Sequence, residues 1–184
     1  MENNQVLQAI YERRSVRKYT AEPVSQQQIE TVINAALWAP SASNRQPWHL
    51  TVFTDPAMIA DIEKDGKAYM AQSDNERTAA RGKDPAVRIF HNAPCVVLFS
   101  HNGTSWAKPD CSIAAQNLAL AAHSIGLGTC YIGLFTHWLE DNTEALAARF
   151  NLPEGYAPFY FMTLGHPNGV GPAPKRAENT VQYL

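Results

Sequence analysis

The sequence predicts an α+β fold, and three observations carry that prediction. Three apolar runs, at residues 48–54, 95–99 and 159–164, have the length and composition of strands. Stripes of helical period separate them. The alternation lacks the strict β-α-β rhythm of a doubly wound parallel sheet. No internal repeat or linker-like stretch divides the 184 residues, so they read as one domain.

In chain order, Val6, Leu7, Ile10 and Tyr11 recur at helical spacing, and a first helix ends near Arg13. The segment Glu12-Arg13-Arg14-Ser15-Val16-Arg17-Lys18-Tyr19 has no helical apolar pattern and reads as extended. Ser25 with Gln28 forms a capping-box signature. Ile29, Val32, Ile33, Ala36 and Leu37 then make the stripe of a second helix, which Pro40 stops. Residues 48–54 form a strand with Leu50 and Val52 on one side, and Met58, Ile59 and Ile62 start another helix. Residues 61–88 change character: twelve of these 28 residues are charged and Tyr69 is the single aromatic, as in a solvated excursion or helical lid. Residues 95–99 read as a central strand. Asp110 is placed to cap an alanine-rich helix that ends at Gly126. Residues 129–135 read as strand or extended loop. Leu146, Phe150 and Leu152 mark a short helix that ends before Pro153, and residues 159–164 form the last strand. From Gly165 onward, Pro167, Pro172 and Pro174 impose an extended tail that needs a surface to lie on.

Composition excludes several classes. Apolar residues at 45% and charges at 17% fit a globular chain. A net charge of −2 argues against a general nucleic-acid or membrane-surface binder. The first ten residues lack the basic and apolar regions of a signal peptide, and no apolar stretch approaches the roughly 20 residues of a membrane helix. Cys95, Cys111 and Cys130 are widely spaced without a C-x-x-C, which points to reduced, buried thiols and a cytoplasmic protein. The histidines are scattered, and no metal site is expected.

Three segments have the makings of a site. Arg13, Arg14, Arg17 and Lys18, with Lys175 and Arg176 far along the chain, supply six of fifteen positive charges. On an extended backbone Arg13, Ser15 and Arg17 share one side. Two guanidinium forks flanking a hydroxyl suit a phosphate monoester of about −1.5 to −2 charge. The plain alternative is a solvated charged surface. The stretch Ala39-Pro40-Ser41-Ala42-Ser43-Asn44-Arg45-Gln46-Pro47-Trp48 offers hydroxyls and two carboxamides, the donors and acceptors that hold a flat heterocycle. Its alternative is a polar loop that caps its own backbone, and Trp48 belongs to the core. In Gly126-Leu127-Gly128-Thr129-Cys130-Tyr131-Ile132-Gly133, Tyr131 stands where a dinucleotide-binding fingerprint needs its third glycine. Gly133 instead lets backbone approach a flat ligand.

These segments, with Leu164-Gly165-His166-Pro167 and Pro174-Lys175-Arg176, span the chain in the order found in the nitroreductase family of FMN-dependent oxidoreductases, which the sequence resembles. The resemblance implies a three-layer fold, with a central, mainly antiparallel sheet flanked by helices. It also implies an intertwined homodimer holding two FMN molecules at the subunit interface. Carried over by residue, Arg13, Arg14, Ser15 and Arg17 would hold the phosphate and ribityl end, joined by Lys175 or Arg176. Pro40, Ser41, Ala42, Ser43, Asn44 and Gln46, from the partner or the same pocket, would contact ring and ribityl chain. The backbone of Ile132, Gly133 and Leu134 would lie beside flavin N5. Many relatives have an acidic residue where Gly133 stands; this chain has none there.

The implied activity is hydride transfer from NAD(P)H through flavin N5 to an electron-poor acceptor, such as a nitroaromatic, quinone or activated alkene, in ping-pong order. The flavin carries the chemistry, so no catalytic side chain is expected. The alternatives are a specialised enzyme of the same fold (dehalogenating or flavin-cleaving) and a non-enzymatic flavin-binding or sensing protein.

Overall fold

Four strands form one antiparallel sheet in a computed structural model that describes residues 4–184. They are β1 (Trp48–Phe53), β2 (Cys95–His101), β3 (Gly128–Ile132) and β4 (Ala157–Gly165), in the order β1-β2-β4-β3. The two central strands, β2 and β4, are covered on both faces, which is why their sequences are continuous apolar runs rather than alternating ones. Their register pairs Val97 with Met162 and Leu98 with Phe161, with one irregularity between Phe99 and Ser100.

The pleat sends successive side chains to opposite layers. On one face Cys95, Val97, Phe99, Tyr160, Met162 and Leu164 pack against α2 (Gln26–Leu37) and α5 (Ala107–Ser124). On the other, Val96, Leu98 and Phe161 meet α3 (Pro56–Met70), α6 (Thr136–Asp141) and α7 (Thr143–Arg149). The result is a three-layer α+β sandwich. Among the described residues no helix is long and apolar enough to cross a membrane.

Local signals place most boundaries. Ser25 and Gln28 close the expected capping box at α2. Gly126 ends α5 with φ +81°, and the next amide, of Leu127, donates back to Ala122 O at 2.8 Å. The first helix, α1 (Gln5–Glu12), is capped by Asn4 but buries no residue within the chain, and Val6 and Tyr11 stand about two-thirds exposed.

Two expectations are corrected. Helix α5 starts at Ala107, three residues before Asp110, so Asp110 does not cap it. Its buried carboxylate instead accepts the amide of Ala42 at 3.2 Å. The 61–88 stretch is not a uniform solvated excursion. Within α3, Ile59, Ile62, Gly66 and Met70 form a buried stripe that the charges on the opposite side obscure in the sequence. The rest of the stretch is more solvated: α4 (Glu76–Lys83) packs on α3 and buries Ala79 alone.

Burial pushes the thiols of Cys95 and Cys111 up to about 12, and that of Cys130 upward as well. All three cysteines should therefore resist iodoacetamide at pH 8 in the folded protein and react fully in urea; mass spectrometry of the two samples reads this directly. A methyl group added at Gly66 would lie 2.5 Å from the ring of Phe135, which is itself fully buried. Gly66→Ala should cost about 1–3 kcal/mol and lower the melting midpoint by several degrees in calorimetry.

Candidate functional site

The site begins where α1 stops. From Arg13 the chain runs extended alongside β3: the Val16 amide donates to Thr129 O at 2.8 Å, and Ser15 bridges Thr129 in parallel. Val16 points inward against Gly128, where an added Cβ would lie 2.5 Å from the valine methyl. The glycine is what permits this approach. With Val16 turned in, Ser15 and Arg17 face outward, as the alternation requires. Arg14 is spent locally, donating to Tyr11 O at 2.6 Å and Arg13 O at 2.8 Å.

A cleft of about 370 Å³ opens over this segment. Arg13, Arg14, Ser15 and Arg17 line one side, and Gly171, Pro172, Pro174 and Arg176 of the tail line the other. The two ends of the chain thus meet across a basic groove. Lys175 is not part of the lining; it pairs with Glu178 at 2.8 Å. The Nε of Arg13 is buried without a hydrogen-bond partner. A buried donor left unpaired is costly, and an anion in the groove would satisfy it.

Arg17 also lines a second cleft, of about 510 Å³. Its other walls are the backbone-rich stretch from Cys130 to Leu134, the segment from Val87 to Ile89, His91, and Arg81 of α4. An added Cβ at Gly133 would meet only the Tyr131 ring, at 3.4 Å, so the chain's own packing does not demand this glycine. Burial, helped by the nearby Arg17 charge, lowers the His91 pKa and favours the neutral imidazole. Burial likewise keeps the Cys130 thiol protonated against the opposing pull of Arg17 and Arg13. Neither side chain is a charged acid or a thiolate nucleophile at neutral pH.

One face of α3 sets the wall opposite Gly133. Lys67 Nζ donates to Asp84 O at 2.6 Å and Val87 O at 2.8 Å, and the buried Glu63 carboxylate accepts the Phe90 amide at 2.7 Å. Gly66, between them on the helix, lets Phe135 sit against α3, and Phe90 meets Phe135 edge-on at 5.4 Å. Sequence reasoning does not single out Arg81, Arg88 or His91 as site residues. The charges of Arg81 and Arg88 are lost among the twelve in 61–88, His91 is one of six scattered histidines, and the hold of α3 on the 84–90 segment brings them to the cleft.

The loop from Pro40 to Gln46 lies elsewhere. Ser41 Oγ accepts the Gln46 amide at 2.9 Å, and Gln46 Nε2 donates to Asn44 Oδ1 at 3.1 Å. Ser43, Asn44 and Gln46 hold left-handed φ of 53°, 53° and 47°, a strained arrangement for non-glycine residues. The loop leads into Trp48, which pairs with His101 and through it with Ala157, whereas Thr129 pairs with Leu164. Seven residues of β4 separate those positions, about 24 Å. Within one chain, Pro40, Ser41, Ala42, Ser43, Asn44 and Gln46 therefore do not meet Arg13, Ser15 and Arg17.

Comparison with known proteins agrees with this architecture. The sequence profile of the nitroreductase family matches residues 10–166. A Methanothermobacter thermautotrophicus protein with a provisional NADH dehydrogenase/NAD(P)H nitroreductase name is 36% identical over 162 residues, 88% of this chain and 77% of that protein. A Bacteroides fragilis nitroreductase solved with bound FMN superposes with a TM-score of 0.91 at 25% identity, covering 99% of this chain and 100% of that one. A Desulfitobacterium hafniense nitroreductase, also solved with FMN, gives 0.89 at 30% identity over 99% of both chains. With the profile spanning sheet, glycine turn and arginine segment alike, the chain belongs to the nitroreductase family.

Proposed function

We propose that this chain is an FMN-dependent NAD(P)H oxidoreductase that works as an intertwined homodimer. The observation that carries the reading is the junction at Arg17: a basic groove joins a glycine-edged cleft, and the groove contains an unpaired buried donor on Arg13. Phosphate at one end and a flat ring at the other are the two demands FMN makes, and the residues present fit both. Bound there, flavin mononucleotide would supply the redox chemistry: hydride transfer from NAD(P)H to an electron-poor acceptor, such as a nitroaromatic, quinone or activated alkene, in ping-pong order.

The chain's own residues bind and orient. Arg13 and Arg17, with the Ser15 hydroxyl between them, hold the phosphate, and Arg176 closes over it from the tail. Arg14 fixes the end of α1. Ile132, Gly133 and Leu134 present backbone along the edge of the ring. Neutral His91 and protonated Cys130 leave the cleft with neither an imidazolium acid nor a thiolate.

The dimer reading rests on what one chain leaves open. Helix α1 has no buried residue, and Trp38 and Ile113 are exposed on α2's end and α5. Strand β1 is a sheet edge, and Val181, Tyr183 and Leu184 of the tail are exposed. A partner's loop 40–46 would bring Ser41, Asn44 and Gln46 to the cleft that the chain's own copy does not reach.

The purified protein should be yellow, bleach anaerobically with NADH or NADPH, and recolour with nitrofurazone or menadione; a colourless protein that takes up no FMN would sink the reading. Light scattering should give twice the chain mass. Arg17→Ala should weaken FMN retention by about ten- to a hundredfold, the size of a lost charge-assisted contact, measured by recovery of free flavin fluorescence. Lys67→Met should loosen FMN several-fold by freeing the 84–87 turn, and Lys67→Arg should restore it, in the same assay.

A further inference from the structure

Six of the chain's nine arginines line the two adjoining clefts, and among the described residues no Asp or Glu lines either one. This concentration runs against the composition, since acidic residues outnumber basic ones by seventeen to fifteen. Nor are the cleft arginines neutralised from outside: the ion pairs of the described residues involve Lys108, His137, Arg149, His166 and Lys175, and none involves Arg17, Arg81 or Arg88. Gathering like charges is unfavourable unless an anion completes the cluster.

A cofactor phosphate of about −1.5 to −2 charge satisfies the groove of Arg13, Arg17 and Arg176. It leaves the second cleft's cations over. Arg88 donates to Pro85 O at 3.1 Å, which fixes its reach, whereas Arg81 has no hydrogen-bond or carboxylate partner among the described residues. Beside them the cleft is apolar and open: Tyr131 is half exposed and Leu134 more than a third. A guanidinium fork next to an aromatic and an aliphatic face is complementary to an aromatic ring bearing a carboxylate.

Resting on the proposed flavin reading, we propose that the cleft selects acceptors that carry a negative group, an electron-poor aromatic acid, with Arg81 as the specificity-determining residue. The helix-end position of Arg81 in α4 does not account for this arrangement. Interaction with a helix dipole concerns one cation at a time, whereas here cations from α4, from the 87–89 segment and from the chain's beginning converge on one space.

The test compares 4-nitrobenzoate with its neutral counterpart 4-nitrobenzamide as acceptors for the holoenzyme, in low and high salt. A preference of about tenfold in kcat/KM for the acid at low salt, falling with salt, is expected. Arg81→Gln should bring the ratio of acid to amide close to one, and Arg81→Lys should retain part of it. Equal use of acid and amide by the unaltered enzyme overturns the proposal. So does an Arg81→Gln enzyme that keeps the acid preference but shows a raised KM for NADH or NADPH, which would assign the charge to the donor's phosphates. Calorimetric titration with benzoate, against benzamide as control, separates this inference from the flavin reading. A protein that takes up FMN but not benzoate overturns the anion assignment alone; one that takes up benzoate but not FMN overturns the flavin reading alone.

Discussion

A short stretch of backbone pairing holds the site together. Where Val16 and Ser15 lie against Thr129, the chain's beginning is fastened to an edge strand laid down more than a hundred residues later. The fastening needs an inward valine and a facing glycine, because any Cβ at position 128 would collide with Val16. It also needs the helix to stop at Arg13, so that the following residues alternate instead of winding. Given those conditions, Ser15 and Arg17 point outward beside the edge of β3, and the turn at Gly133 sits at the end of the same strand. Under the proposed reading, the groups assigned to phosphate and the backbone assigned to the ring are joined through one backbone ladder rather than through flexible side chains.

The other wall has a different construction. The 84–90 segment makes no strand and contributes little apolar burial apart from Ile89 and Phe90. Lys67 satisfies two of its carbonyls and Glu63 one of its amides, so a single helix face substitutes for a sheet neighbour. Buried polar groups must find partners, and here that requirement becomes a positioning device. The aromatic cluster of Phe90, Phe135 and Phe161 beneath it transmits the position of α3 to both sides of the cleft.

The molecule also shows what one copy leaves undone. The polar loop before β1 is internally bonded and strained, with its amide anchored on Asp110 at the far end of the sheet from the arginines. Helix α1 lies on α5 without burying any of its own residues. A second copy answers both facts at once under the proposed dimer, since a helix with nothing buried gains the packing that fixes it and the loop gains a ligand to serve.

Much of this was legible in the sequence, because it depends on contacts only a few residues apart. The capping box at Ser25, the stop at Gly126 and the continuous apolar runs of β2 and β4 report local geometry, and each stands where its pattern puts it. The arginine–serine–arginine alternation was readable for the same reason. What only the tertiary structure decided involves partners far apart in the chain. Asp110 has the composition of a cap and serves instead as the anchor of Ala42. Charges on the outward side of α3 conceal a buried stripe, and Arg81 and Arg88 resemble ordinary solvated residues until Lys67 and Glu63 hold their segment against the cleft. Periodicity encodes which side of an element faces inward; it does not encode which distant carbonyl or amide a buried lysine or glutamate will find, because that choice is made by the packing of the whole chain.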